Sequence, residues 1–185
     1  MDQQRIFLSA VSSEFRKARA GLAKTLRGRP LVVREQDSFI NEPGSATLLA
    51  KLHDYIKACD KVVAFIGTRS GSSPPAAAAA EFRHLLPEDL AQPPYGVTEP
   101  SYTQWEVIFA LRYCRNGFVA ISAAPKYKPD ERGLPNDQQT RFVDWLVKGR
   151  GMDLTTSAAS PLEFQNHALI SLGDFGRAPK PANLP

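Results

Sequence analysis

The stretch Ser101-Tyr-Thr-Gln-Trp-Glu106 joins a helix start to a carboxylate, and no other segment of the chain is better suited to chemistry. Ser101 with Gln104 three residues on has the form of a capping box. A helix is therefore expected to begin here and to continue through the apolar Val107-Ile-Phe-Ala-Leu-Arg-Tyr113. Helical spacing puts Trp105, Ile108, Phe109 and Arg112 near one face. It puts Glu106 in the first turn, where the positive end of the helix dipole favours a carboxylate. A first-turn glutamate is just as well explained as a stabilising residue, so its meaning depends on the rest of the chain.

Other chemistries find less support. Neither a Walker A loop nor a Gly-x-Gly-x-x-Gly fingerprint occurs. Gly67-Thr-Arg-Ser-Gly71 follows an apolar run and could cradle a phosphate, although a plain turn explains it equally simply. His53, His84 and His167 lack metal-ligand spacing, so no metal and no Ser/His/Asp triad is expected.

The elements that must position Glu106 are read from periodicity. Arg5–Ser9, Leu31–Glu35, Lys61–Ile66 and Gly117–Ser122 read as buried strands, with a weak fifth at Met152–Thr155. Amphipathic helices are expected after Ser12 and Ser13, which would cap the first, from about Ala46 to Cys59, over Asp137–Lys148, and over Pro161–Ile170. Asp37–Gly44 reads as a polar loop with an exposed Phe39, and Thr68–Pro100 as a long insertion of the functional or mobile kind. Strands alternating with helices define an α/β fold with a parallel sheet, whose ligands bind outside the carboxyl ends of the strands. Those ends carry Ser9, Arg34 to Ser38, Gly67 to Arg69, and Ser122, with Glu106 on the same rim. The chain divides into one domain over residues 1–172, with the insertion at about 68–100, and a Pro-rich linker over 173–185.

The 185 residues are 43% hydrophobic and 23% charged, which suits one soluble domain with a real core. No apolar run approaches the roughly 18 residues of a membrane span, and no signal peptide is apparent, so a cytoplasmic protein without membrane contact is expected. Cys59 and Cys114 fall in expected helices and read as free thiols. Much of the +4 net charge comes from Arg16, Lys17, Arg19, Lys24, Arg27 and Arg29, read as one solvated helix face; nucleic-acid binding is not expected, since no aromatic interleaving accompanies it.

Taken together, Arg5-Ile-Phe-Leu-Ser9 with its following helix, Val62-Val-Ala-Phe-Ile-Gly67 and Ser101-Tyr-Thr-Gln-Trp-Glu106 resemble the TIR-like domains found at the N-termini of bacterial STAND/NLR-like NTPases and repeat proteins. The resemblance spans about residues 5–170, and its most specific part is the Ser-Tyr-Thr-x-x-Glu segment. It implies a flavodoxin-like fold with parallel strands in the order 2-1-3-4-5. It implies an NAD+ glycohydrolase effector, serving bacterial anti-phage defence and activated by oligomerisation, with NAD+ as substrate and no cofactor. Some members of the family are non-enzymatic assembly modules, which is the alternative. A third reading is a nucleotide-binding or nucleoside-processing flavodoxin-like domain of another family. The implied partners are NAD+, further copies of the domain, and C-terminal NTPase or repeat domains in a longer chain.

In this resemblance Glu106 matches the catalytic glutamate, while the loops from Ser9 and over Asp37–Gly44 match the substrate rim. Ser9, Ser38 and Gly67 would then face substrate. Tyr102, Trp105 or Phe39 would stack on a planar ring, and Arg34 and Arg69 would meet phosphates. Plain packing and solvated arginines explain the same residues. The chemistry itself asks for little. Cleavage passes through an oxocarbenium-like state, and nicotinamide is already cationic in NAD+ and leaves neutral, so one carboxylate suffices without a general acid. The insertion is longer than in a compact TIR domain and enters directly before Glu106, where it would cover the cleft or disorder it.

Overall fold

The structure is a computed structural model that describes residues 3–40, 44, 46–131 and 133–173. The expected linker from residue 174 onward, and part of the 37–44 loop, lie outside the described residues. Five parallel strands form one sheet: β1 (Gln4–Ala10), β2 (Leu31–Glu35), β3 (Lys61–Ile66), β4 (Phe118–Ala123) and β5 (Ser157–Ala158), in the order β2-β1-β3-β4-β5. The fold is thus α/β and flavodoxin-like. The fifth strand forms beyond the expected Met152–Thr155. Only Ser157 and Ala158 pair, with Ser122 and Ala123, a match too short to leave a period.

Strand alternation separates two apolar layers. Ile6 and Leu8 face α1 (Ser12–Arg27) and α8 (Pro161–Leu172), where they join Phe15, Leu22, Phe65 and Phe164. Phe7, Val62 and Ala64 face the other way, toward α3 (Leu48–Lys57) and α6 (Tyr102–Tyr113). Ser9 shares the alternation of Phe7 and therefore looks at α6.

The α1 helix is entered from Val11 with no side-chain cap, so Ser12 and Ser13 lie inside the helix instead of capping it. Cys59 and Cys114 are free but flank helices: Cys59 follows α3, and Cys114 caps α6. The segment Asp37–Ile40 forms a short helix, α2, and Phe39 is 3% exposed. Its ring meets Phe7 at 6.4 Å and Tyr55 at 5.3 Å between centroids, so the expectation of an exposed Phe39 is overturned by burial in the core. The helix expected over Asp137–Lys148 runs as α7 (Asp137–Asp144) and ends in a π-helical turn over Trp145–Gly149.

The insertion is structured. It folds into α4 (Ala76–Phe82), a 3₁₀ turn (Arg83–Leu85) and α5 (Glu88–Ala91). Phe82, Leu85, Leu90 and Val97 enter the same apolar layer as α6. Phe82 packs on Phe109 at 5.5 Å, and Trp145 Nε1 donates to Asp89 Oδ2 at 2.9 Å. The residues from Gln104 to Ala110 are consequently buried all round, which explains why that helix is apolar on more than one face. The helical part of the insertion lies along the flank of α6, while its first residues, Gly71 and Ser72, border the cleft near Glu106.

Leu90 is fully buried. Leu90→Ala is expected to cost about 2–5 kcal/mol, as for a core leucine. Urea unfolding of the variant beside the parent measures this, and an unchanged midpoint would mean that the insertion contributes nothing to the core.

Candidate functional site

The start of α6 is anchored from both sides. Ser101 Oγ accepts from the Gln104 amide at 3.2 Å, Gln104 Oε1 accepts from the Ser101 amide at 3.0 Å, and Ser101 Oγ donates to the Ser70 carbonyl. The expected capping box is present. From Gln104 a relay continues: Nε2 donates to Gln139 Oε1 at 3.0 Å, and Gln139 Nε2 donates to the Gly67 carbonyl at 3.2 Å. The helix start is thereby fixed against the end of β3.

Glu106 is the fifth residue of α6, in its second turn and not its first. The dipole therefore does little for it, because that effect fades within the first turn. Ser9 Oγ donates to Glu106 Oε2 at 2.6 Å, and both residues are 1% exposed. Glu106 Oε1 has no hydrogen-bond partner among the described residues. Burial pushes the Glu106 carboxyl up to about 8; the Ser9 hydrogen bond and the positive charge of Arg19 oppose the rise, and Asp37 adds to it.

Above this pair lies a cleft of about 200 Å³, bordered by Val11, Ser12, Asp37, Ser72, Tyr102 and Thr103 among others. Tyr102 and Thr103 precede Glu106 by four and three residues, so they share its helix face. Ala10, which follows Ser9, also borders the cleft. The Ser9–Glu106 pair thus lies one helical turn below Tyr102 and Thr103, at the carboxyl edge of the sheet, and is not itself part of the lining. Hydroxyls and the Asp37 carboxylate dominate the lining, and among the described residues no lysine or arginine is part of it.

Arg19 holds this rim together. Its Nε pairs with Glu35 Oε2 at 2.8 Å, and its Nη2 reaches Asp37 Oδ2 at 2.6 Å and Ser12 Oγ at 3.0 Å. It is 3% exposed, so the solvated basic face expected of this helix does not include it. The guanidinium ties the end of β2, α2 and the β1–α1 connection into one unit.

Glu14 is a functional-looking residue that the sequence reading overlooked. It is buried, and its carboxylate accepts from the Thr68 amide at 3.0 Å, the Thr68 hydroxyl at 2.9 Å and the Arg69 amide at 3.0 Å. The Gly67–Gly71 turn is therefore an anion-binding turn filled by the protein's own side chain. A Cβ at Gly67 would meet Glu14 Cδ and Phe15 Cζ at 2.7 Å, so only glycine permits the approach. The signal available in sequence was a Glu just inside the first helix and a Gly closing the third strand.

The remaining expected site residues separate. Tyr102 is half-buried at the cleft, and Ser38 is exposed, its hydroxyl accepting from the Glu35 amide at 3.3 Å. Arg34 stands over the Phe39 and Tyr55 rings at 5.1 and 5.4 Å. Arg69 Nη2 donates to the Glu131 carbonyl at 2.6 Å, which commits it to a neighbouring loop and not to a phosphate at the cleft. Trp105 is buried against Phe109 at 5.4 Å and borders a separate pocket of about 150 Å³. Among the described residues no cluster of His, Cys, Asp and Glu could hold a metal ion, and no helix is long and apolar enough to cross a membrane.

In class, then, the molecule is a flavodoxin-like α/β domain with a sealed carboxyl at the carboxyl edge of its sheet. The chain matches no protein-family model, and no curated protein matches it significantly.

The raised Glu106 value has a consequence for stability. Between about 4.5 and 8 the unfolded carboxyl has lost its proton while the folded one keeps it, so this group makes stability fall as pH rises, by at most about 1.4 kcal/mol per unit. Below that window its contribution is fully present. Glu106→Gln removes the slope. Chemical denaturation at several pH values is expected to find the variant close to the parent near pH 5 and relatively more stable by a few kcal/mol above pH 8; parallel pH profiles would mean that Glu106 ionises freely in the fold.

Proposed function

We propose that this chain is a TIR-like NAD+ glycohydrolase domain that uses Glu106 to cleave the nicotinamide–ribose bond. The observation that carries the reading is the Glu106 carboxyl itself: held by Ser9 through one oxygen, unpartnered at the other, and set beneath a hydroxyl-lined cleft at the carboxyl edge of a parallel sheet. A lining without cations suits the uncharged ribose and the cationic pyridinium better than the diphosphate, which would lie outside. In the reaction the C1′–N bond breaks and its electron pair leaves with neutral nicotinamide. Water then adds to the oxocarbenium carbon and loses a proton to solvent. The Glu106 carboxylate stabilises the positive charge and holds ribose hydroxyls.

Two requirements follow. Glu106 must be ionised, and an entering pyridinium favours ionisation by charge attraction. Ser9 and Glu106 must also become reachable, because each is 1% exposed. Opening of the cleft on self-association is part of the proposal, as are service in bacterial anti-phage defence and attachment to NTPase or repeat domains. The sealed state of the pair also favours a second reading, a non-enzymatic assembly module in which Ser9 and Glu106 only join β1 to α6.

Nicotinamide release from NAD+, followed at high protein concentration and with the domain artificially clustered, decides between them. Turnover is expected in the parent, with a loss of about 100-fold or more in Glu106→Ala, the scale of a removed electrostatic stabiliser. Turnover that survives the substitution would remove Glu106 from the chemistry, and none in any preparation would leave the assembly module.

A separate expectation concerns pH. With the free domain, kcat/KM for NAD+ rises with pH toward a plateau above about 8, as Glu106 loses its proton. A profile that falls over this range would mean the protonated carboxyl is the active form.

A further inference from the structure

The insertion and the second half of α6 enclose another groove, of about 670 Å³, within the size range of small-molecule sites. It is bordered by Arg115 and by Phe118, where β4 begins, and so lies at the opposite end of the sheet from the Glu106 cleft. Leu86 and Pro87 of the insertion form one apolar wall, and Ile108, Leu111 and Phe118 form the facing one. Trp145 contributes to the lining with its indole fixed: Nε1 donates to Asp89, and the Arg150 guanidinium carbon stands 4.8 Å from the ring centroid.

The groove is basic at its edge. Arg112, Arg115, Arg150 and His84 all border it, and among the described residues no acidic side chain does. Arg150 is neutralised by Asp89 at 2.7 Å. Arg112 and Arg115 are exposed and have no carboxylate partner among the described residues; Arg112 only stands 5.9 Å from the Tyr113 ring. Two free guanidiniums beside an apolar slot are matched by a dianion attached to a flat apolar body, since guanidinium forks bind phosphate bidentately and the slot removes a ring from water.

We infer that this groove is a binding site for an organic phosphate of about nucleoside-monophosphate size, its ring between the insertion and α6 and its phosphate on Arg112 and Arg115. The insertion then has a role distinct from covering Glu106: it builds one wall of this site. The inference holds whether or not Glu106 cleaves NAD+.

Isothermal titration of the full chain with AMP, adenosine and inorganic phosphate at about 0.15 M salt tests it. AMP is expected to bind with Kd below about 1 mM, and adenosine and phosphate each at least about tenfold more weakly. Arg112→Gln combined with Arg115→Gln should weaken AMP by about tenfold or more, with the thermal unfolding curve unchanged, because both side chains are exposed. Glu106→Gln should leave AMP binding intact. The inference fails if AMP gives no binding, if inorganic phosphate binds as tightly as AMP, if the double arginine variant binds normally, or if Glu106→Gln abolishes binding and so moves the ligand to the other cleft.

Discussion

A carboxyl group taken out of water with a single hydrogen bond to offset the loss is held there by everything packed around it. For Glu106 the only hydrogen bond among the described residues is from the Ser9 hydroxyl, with the charge of Arg19 adding to it, and the rest of this half of the molecule serves to keep the two together. Strand alternation aims Ser9 at α6, and pairing of Ser9 with Ala64 of β3 fixes its height in the sheet. The capping box sets where α6 begins and therefore which residue faces Ser9. The Arg19 guanidinium, itself buried, joins β2, α2 and the β1–α1 connection, so these three parts of the rim are tied together. Desolvation keeps the acid protonated and uncharged near neutrality. The closed arrangement is thus stable because its central group is neutral, and chemistry that needs a carboxylate requires the arrangement to change.

The α6 helix is shared property. On one side it meets the sheet; on the other it meets α4, the 3₁₀ turn and α5 of the insertion, and its interior is buried throughout. Its first half borders the Glu106 cleft, and its second half forms a wall of the basic groove. A single helix of twelve residues thus borders both concave surfaces.

Features that rest on local chemistry were readable from the residues. Leu31–Glu35 and Lys61–Ile66 are β-branched apolar runs closed by turn residues, and they form strands with those bounds. The Ser101–Gln104 cap is a bond pattern within four residues, and it placed the helix that bears Glu106. What escaped depended on distant partners. Phe39 stands in a polar segment and is buried only because Phe7 and Tyr55 receive it. Arg19 looks like its basic neighbours until Glu35 and Asp37 converge on it. Glu14 finds its amides more than fifty residues away, and β5 is too short to carry a period. The insertion read as a functional or mobile segment because its Pro and Ala content gives no period from which the docking of Phe82, Leu85, Leu90 and Val97 could be read.

The Glu14 carboxylate on the Thr68 and Arg69 amides has an implication for which anions this edge of the sheet can receive. A turn at the end of a central parallel strand offers backbone amides, the usual means of gripping a phosphate. Here the competitor is covalently tethered, at an effective concentration set by the fold and not by the solvent. A free anion would have to compete with this tethered carboxylate for the same amides. The turn is in this sense already liganded, and its amides are committed to the protein's own carboxylate.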